Sequence, residues 1–298
     1  MDKLLIICGA PASGKSSLAI ELAKTLNTDV ISADSQLVYK GLNVGTAKPT
    51  IEEMQGVRHH LIDVIEPTQT FNVGDYEEMA VPIVNELFAN KKTPIVCGGT
   101  GFYINSILYD LSYGNVIANP DIRKKYDEIL KERGNEYVHS LLKKVDEESA
   151  NKLHPNETQR VIRALEIFET TGKKKSEQGD SYKPRFDYLA VAINHPREVL
   201  YDRIDKRVDI MFENGLVDEV KGLLASGIDK NMQCMKAIGY KEVVECLEKG
   251  YGEEQMREAI KLNTRHYAKR QITFFKRIPN LVWLDPEKTN CVLELFNK

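Results

Sequence analysis

The stretch "KLLIICGAPASGKSSLAIELAK" limits the fold of this chain more than any other. Gly9, Gly14, Lys15 and Ser16 satisfy GxxxxGK[ST], directly after an apolar strand pattern and directly before an amphipathic helix pattern. A loop of this kind cradles phosphate oxygens with backbone N–H groups at the positive end of a helix. Gly9, Ala10, Pro11, Ala12, Ser13, Gly14, Lys15 and Ser16 are therefore expected to hold a diphosphate, with Lys15 as a point charge and the Ser16 hydroxyl on magnesium. Nothing in the cradle recognises adenosine. It reads a diphosphate, whatever organic group the diphosphate carries.

Short apolar runs at residues 4–8, 30–33, 60–64 and 94–98 alternate with helical patterns, as strands of a parallel sheet do. The expected fold class is α/β: a P-loop NTPase-like parallel sheet flanked by helices, interrupted by a small all-helical insertion. Near Tyr113 the sequence turns helical and highly charged, and at residues 186–194 a strand pattern returns. The domains are accordingly 1–112 with 186–298 as the α/β core, and 113–185 as the insertion. Asn156 is read as a helix cap with Gln159 three residues on, and Gly172 as the stop. The segment 173–185 reads as a polar loop without assignable function. Leu200, Ile204, Val208 and Met211 form a core stripe, and residues 237–277 read as two helices before a last strand, "LVWL".

With 298 residues, 42% hydrophobic and 29% charged, the composition is that of a globular protein, and a net charge of −3 argues against indiscriminate nucleic-acid binding. The charge is uneven. Between Arg257 and Arg277 seven basic residues face one acid, Glu258, which predicts a local surface for a polyanion. Five scattered cysteines without a CxxC pair predict reduced thiols and no zinc site. The run "LLII" is too short for a signal peptide or membrane span, so a cytoplasmic protein without membrane contact is expected.

The second unusual stretch is "ISADSQLVYKGLNVGTAKP". Asp34 ends the second strand, at the carboxyl edge of the sheet where α/β folds bind ligands. There it can ligate magnesium, cap a helix or accept a proton, and local pattern does not choose among these. From the P-loop alone a nucleoside or small-molecule kinase is the main rival reading, with the charged helices as its lid.

Read together, "GAPASGKSSLAIELA", "ISADSQLVYKGLNVGTAKPT", "HHLIDV", "PIVCGGTGFYINSIL", "HPNETQRVIRALEIF", "CMKAIGYKE" and "RHYAKRQITFFKR" resemble the tRNA dimethylallyltransferase (tRNA isopentenyltransferase) family, in order and over nearly the whole chain. The likeness is to the short, bacterial-type form; with Cys291 alone near the end, the zinc finger of some eukaryotic relatives is expected to be missing. The resemblance implies transfer of a dimethylallyl group from dimethylallyl diphosphate to the exocyclic amine of the adenosine 3′ of a tRNA anticodon. It implies Asp34 as general base, with catalytic roles for Thr100 and Arg123, and tRNA contact by Asp34, Ser35, Gln36 and Leu37. It extends tRNA contact to Gln159, Arg160, Val161, Ile162 and Arg163, and the basic helix adds Lys269, Arg270 and Arg277. Partners are then the anticodon stem-loop and dimethylallyl diphosphate, with magnesium as cofactor; a monomer without an obligate protein partner is expected.

Overall fold

A computed structural model of the chain describes residues 3–111, 119–177 and 181–297, which divide into two units, Met1–Leu108 with Pro184–Lys298, and Tyr109–Lys183. The boundary read at residues 112 and 113 lies outside the described residues.

The first unit opens with β1 (Lys3–Cys8), α1 (Lys15–Thr25), β2 (Val30–Ser32), α2 (Ile51–Met54), β3 (His59–His60), α3 (Val73–Ala89), β4 (Ile95–Gly98) and α4 (Gly101–Leu108). The second unit comprises β5 (Tyr109–Asp110), α5 (Pro120–Val145), α6 (Glu147–Lys152), α7 (Thr158–Thr171) and β6 (Ser181–Pro184), whose last residue already belongs to the first. The chain then completes the first unit with β7 (Asp187–Ile193), α8 (Arg197–Glu213), α9 (Leu216–Ala225), α10 (Tyr240–Glu248), α11 (Glu253–Phe275), β8 (Val282–Leu284) and α12 (Val292–Phe296).

Six strands pair in parallel in the order β3-β2-β4-β1-β7-β8. β1 is apolar on both faces because helices cover both, and Leu4 to Cys8 are wholly buried. Each such side chain contributes roughly 1.5–3 kcal/mol by leaving water. Register then determines what the sheet presents. Cys8 pairs with Gly98 and Ser32 with Cys97, so β1, β2 and β4 end level with one another. Their continuations, Gly9–Gly14, Asp34–Leu37 and Gly98–Gly101, emerge together at the carboxyl edge. Gly98 permits this closeness: a Cβ there would lie 2.1 Å from the Ala33 carbonyl oxygen.

The structure departs from the sequence reading at three places. The strand expected at 60–64 is only His59–His60, because Leu61 (φ 63°) and Asp63 (φ 55°) turn the backbone out of extended geometry. The insertion carries the two-stranded sheet β5-β6 as well as helices, so residues 181–184 are strand rather than loop. The residue capping α7 is Glu157, whereas Asn156 accepts a hydrogen bond from Asn135 (3.0 Å). Gly172 does end α7, in the left-handed conformation. Among the described residues no helix is long and apolar enough to cross a membrane.

Candidate active site

The phosphate loop occupies the turn between β1 and α1. Gly14, at φ 92°, precedes the first residue of α1, and Ala12 holds φ 58° between it and Gly9. Two carbonyls of the loop are held by side chains from outside it: Arg203 Nε donates to Ala12 O (2.7 Å), and His195 Nε2 bonds Ser13 O (2.9 Å). Lys15 Nζ donates to Ala10 O (3.2 Å) within the loop. Burial draws the Lys15 ammonium pKa below its ordinary value and the neighbouring Arg207 adds to this, against Cys97 and Asp34. An arriving anion reverses that shift, so the site favours negative charge.

Asp34 Oδ1 accepts from Gln36 N (2.9 Å), closing a tight turn that leaves the rest of the carboxylate facing the cavity. Thr100 braces the same turn: its Oγ1 accepts from Ser35 N (3.0 Å) and its amide donates to Ala33 O (3.0 Å). α11 packs over this corner. Gln271 Nε2 donates to Gly99 O (2.6 Å), and a Cβ on Gly101 would strike the Phe274 ring at 2.3 Å. The Tyr267 phenol, bonded to Gln271 and Thr100, has its pKa pushed up to about 12 by burial and then by Asp34, so it is neutral at physiological pH. Gln36 Oε1 is buried without a hydrogen-bond partner among the described residues, an acceptor awaiting a donor.

One cavity of about 1040 Å³ is bordered by Lys15, Ser16, Asp34, Leu37, Thr46, Lys48 and Arg207. Arg207 was missed by sequence reasoning. It follows Ile204 by three positions on α8 and so adjoins the buried stripe instead of opposing it, which is the signal available in the sequence. Arg207 also borders a smaller recess with Ala12, Ser13, Gly14 and Lys15. Burial lowers its pKa, Asp34 raises it, and among the described residues no carboxylate forms an ion pair with it. A half-buried guanidinium facing a phosphate loop suits an anion.

Magnesium fits this site only in a particular way. No group of three His, Cys, Asp or Glu side chains that could hold a metal exists among the described residues. The Ser16 hydroxyl and Asp34 carboxylate border the cavity, as does Ser32, whose buried Oγ has no hydrogen-bond partner among the described residues. That sparse oxygen set matches magnesium, which keeps waters and takes most of its protein-bound ligation through substrate phosphates.

In the second unit, Arg123 reaches the wholly buried Glu166 through Nε and Nη2 (both 3.0 Å), and Arg163 Nη1 donates to the same carboxylate (2.6 Å). Arg160 pairs with Glu157, and Gln159 and Arg160 are exposed. Val161 and Ile162, by contrast, are 1% and 3% exposed in the core of the insertion with Leu142 and Leu165. Packed in that core, their side chains are not available for the RNA contact expected of them.

The basic stretch also needs correction. Arg257 and Lys261 pair with Asp209 (3.2 and 2.9 Å), and Arg265 Nε donates to Asp205 (2.9 Å), both acids supplied by α8. These three cations join helices. Lys269, Arg270, Lys276 and Arg277 remain exposed, Arg270 lying over the Tyr267 ring at 5.7 Å.

Comparison with known proteins follows the same outline. A family profile described as IPP transferase matches residues 37–278. A tRNA dimethylallyltransferase of Acetivibrio thermocellus is 44% identical over 291 residues, spanning 97% of this chain and 93% of the relative. The crystal structure of the full-length tRNA isopentenylpyrophosphate transferase from Bacillus halodurans superimposes with a TM-score of 0.74 at 39% identity, covering 100% of this chain and 95% of the other. A eukaryotic dimethylallyltransferase solved acting on tRNA gives a TM-score of 0.81 at 30% identity, covering 95% and 74%.

Proposed function

This chain belongs to the IPP transferase family, and from that premise we propose that it transfers a dimethylallyl group from dimethylallyl diphosphate to the exocyclic amine of the adenosine 3′ of a tRNA anticodon, releasing diphosphate. The observation that carries this reading is the shared cavity: Lys15, Ser16 and Arg207 border the same space as Asp34. A cradle for a departing diphosphate and an acceptor for an amine proton thus open on one reaction volume. The kinase reading is set aside, since the relatives named above are prenyltransferases.

The adenine amine is a weak nucleophile because its lone pair is delocalised into the ring. As its nitrogen bonds the allylic carbon, the carbon–oxygen bond to diphosphate breaks and the N–H proton passes to Asp34. Loop amides, Lys15 and Arg207 stabilise the negative charge that gathers on the leaving group. The Ser16 hydroxyl would hold magnesium, which would supply further charge neutralisation for the departing diphosphate. Thr100 fixes the Asp34 turn through Ser35 and bonds the Tyr267 phenol. Arg123, gripped by Glu166, contributes on the phosphate or RNA side.

The target base leaves its stack to enter the cavity, at less cost from a loop than from a duplex. Ser35, Gln36 and Leu37 meet it, the unpartnered Gln36 Oε1 accepting from a base edge. Gln159, Arg160, Arg163, Lys269, Arg270 and Arg277 contact the anticodon stem-loop. In this reading the enzyme works as a cytoplasmic monomer and ATP is not consumed.

The test is mass spectrometry of nucleosides from an unmodified tRNA incubated with the protein, magnesium and dimethylallyl diphosphate without ATP. Dimethylallyl-adenosine is expected with the wild type and not with Asp34→Ala. Absence of product with several suitable tRNAs would overturn the reading.

A further inference from the structure

The cavity wall formed by residues 43–48 lacks regular secondary structure, yet it is held by an unusual anchor. Glu219, on α9, directs its carboxylate into three successive backbone amides of that wall. Asn43 N donates to Oε2 (2.9 Å), Val44 N to both oxygens (3.1 and 2.8 Å) and Gly45 N to Oε1 (3.1 Å). A fourth donor, the Tyr240 hydroxyl, reaches Oε1 at 2.6 Å. Consecutive N–H groups turned to one point form an anion-binding concavity, and here the protein fills it with its own carboxylate.

Tyr240 is itself immobilised. It is wholly buried at the start of α10, where Gly239 N donates to Glu242 Oε2 (2.7 Å) and Asn263 of α11 donates to Glu242 Oε1 (2.7 Å). Its ring lies against Gly45 so closely that a Cβ there would come within 2.5 Å of it. The "IGYKE" and "LNVGTAKP" segments, nearly 200 residues apart, are therefore two halves of one clamp.

What the clamp positions is the next residue of the wall. The Thr46 carbonyl accepts from Arg207 Nη2 (3.2 Å), the guanidinium that borders both the main cavity and the phosphate-loop recess. Asn43, Val44, Thr46, Ala47 and Lys48 all line the cavity, and Lys48 is tied back to Tyr39 O (2.7 Å). With both ends of the wall fixed, the Thr46 carbonyl is a fixed hydrogen-bond acceptor.

We propose that Glu219 and Tyr240 are positioning residues for diphosphate binding: they hold the Asn43–Gly45 amides so that Thr46 aims Arg207 at the phosphate loop. This rests on the reading of the loop as a diphosphate cradle. Glu219 touches no substrate and acts through the wall and Arg207. Glu219→Gln preserves shape but turns an amide NH2 toward N–H donors, so the wall loses part of its anchor. Tyr240→Phe preserves packing and removes one donor.

Inorganic pyrophosphate with magnesium is the probe, titrated calorimetrically into the full chain. Glu219→Gln is expected to weaken pyrophosphate binding about tenfold to a hundredfold, as lost charge-assisted hydrogen bonds do, and Tyr240→Phe by less. In an Arg207→Ala background the Glu219→Gln change should have no further effect on pyrophosphate affinity, whereas a purely structural role would lower thermal stability and leave that affinity unmoved. Unchanged pyrophosphate binding in folded Glu219→Gln, or an effect that persists undiminished without Arg207, overturns the proposal. Failure of the wild type to bind pyrophosphate overturns the cradle reading, and the proposal with it.

Discussion

At the residue scale, the roles proposed for Asp34 and Lys15 rest on their different surroundings. Lys15 sits where burial and Arg207 disfavour its own charge, so it gains from a bound anion; Asp34 sits in a turn that occupies one oxygen with Gln36 N. Asp34→Ala should lower single-turnover dimethylallyl transfer about 10²–10⁴-fold, equivalent to roughly 3–5 kcal/mol of transition-state stabilisation, while tRNA and pyrophosphate affinities change little. Near-normal turnover would remove Asp34 from the proton-transfer role. The phosphate loop and the place of Asp34 were legible because strand, glycines and helix are contiguous in sequence. Arg207 was not, since its meaning comes from Thr46, 161 positions away. Nor were Glu219 and Tyr240, for the same reason: a carboxylate on an exposed-looking helix shows no sign of the amides it will meet.

At the scale of elements, α11 shows how a local charge count can mislead. Seven cations against one acid predicted a local surface for a polyanion, but Asp205 and Asp209 of α8 neutralise the i, i+4, i+8 row of Arg257, Lys261 and Arg265. Only the far end of the helix and the residues just after it remain for the RNA contact proposed above. Lys269→Ala or Arg277→Ala should each reduce the slope of log affinity for tRNA against log salt by about 1, whereas Arg265→Ala should leave the slope unchanged and lower the melting temperature. Equal slopes for all three would return the whole row to the RNA interface. The insertion has its own pinned element, Asp146 at the start of α6, which accepts from Ser149 N (3.0 Å), Ser176 N (3.0 Å) and Ser176 Oγ (2.7 Å). Burial raises its pKa, but these hydrogen bonds outweigh it and bring the carboxyl down to about 2. Because the folded value lies below the unfolded one, the stabilisation is fully present above about pH 4 and is lost as pH falls toward the folded value; it amounts to about 2 kcal/mol. Acid unfolding of the insertion, followed by hydrogen exchange at its amides, should show this loss in the wild type and a flatter profile in Asp146→Asn. No sequence pattern links Asp146 to Ser176, although the helices around them were plain from periodicity.

At the scale of the molecule, the proposed function assigns diphosphate handling to one unit and part of the RNA handling to the other, and their chain connection permits a direct test. The polypeptide leaves the α/β unit after Leu108 and returns at Pro184, and the Arg185 amide donates to the Leu108 carbonyl at 2.8 Å. Exit and return are thus adjacent, so a short flexible linker can replace residues 109–183 without stretching the core. The core keeps its six-stranded sheet, phosphate loop, Asp34, Thr100, Arg207 and the Glu219 clamp, while the Glu166-centred arginines leave with the insertion. Each unit also has its own hydrophobic cluster, so removing one does not hollow out the other. The excised protein should therefore fold cooperatively and bind pyrophosphate within about threefold of the full chain, since sites without shared partners behave nearly independently. Its tRNA-dependent turnover should fall at least a hundredfold, a loss of about 3 kcal/mol, because the RNA contacts proposed for Gln159, Arg160 and Arg163 and the contribution of Arg123 are gone. If turnover on tRNA survived the excision, the insertion would have no part in substrate recognition and the remaining exposed cations of α11 would have to account for it alone. If pyrophosphate binding were lost as well, the cradle would depend on the insertion, and the separation of diphosphate handling from RNA handling would fail.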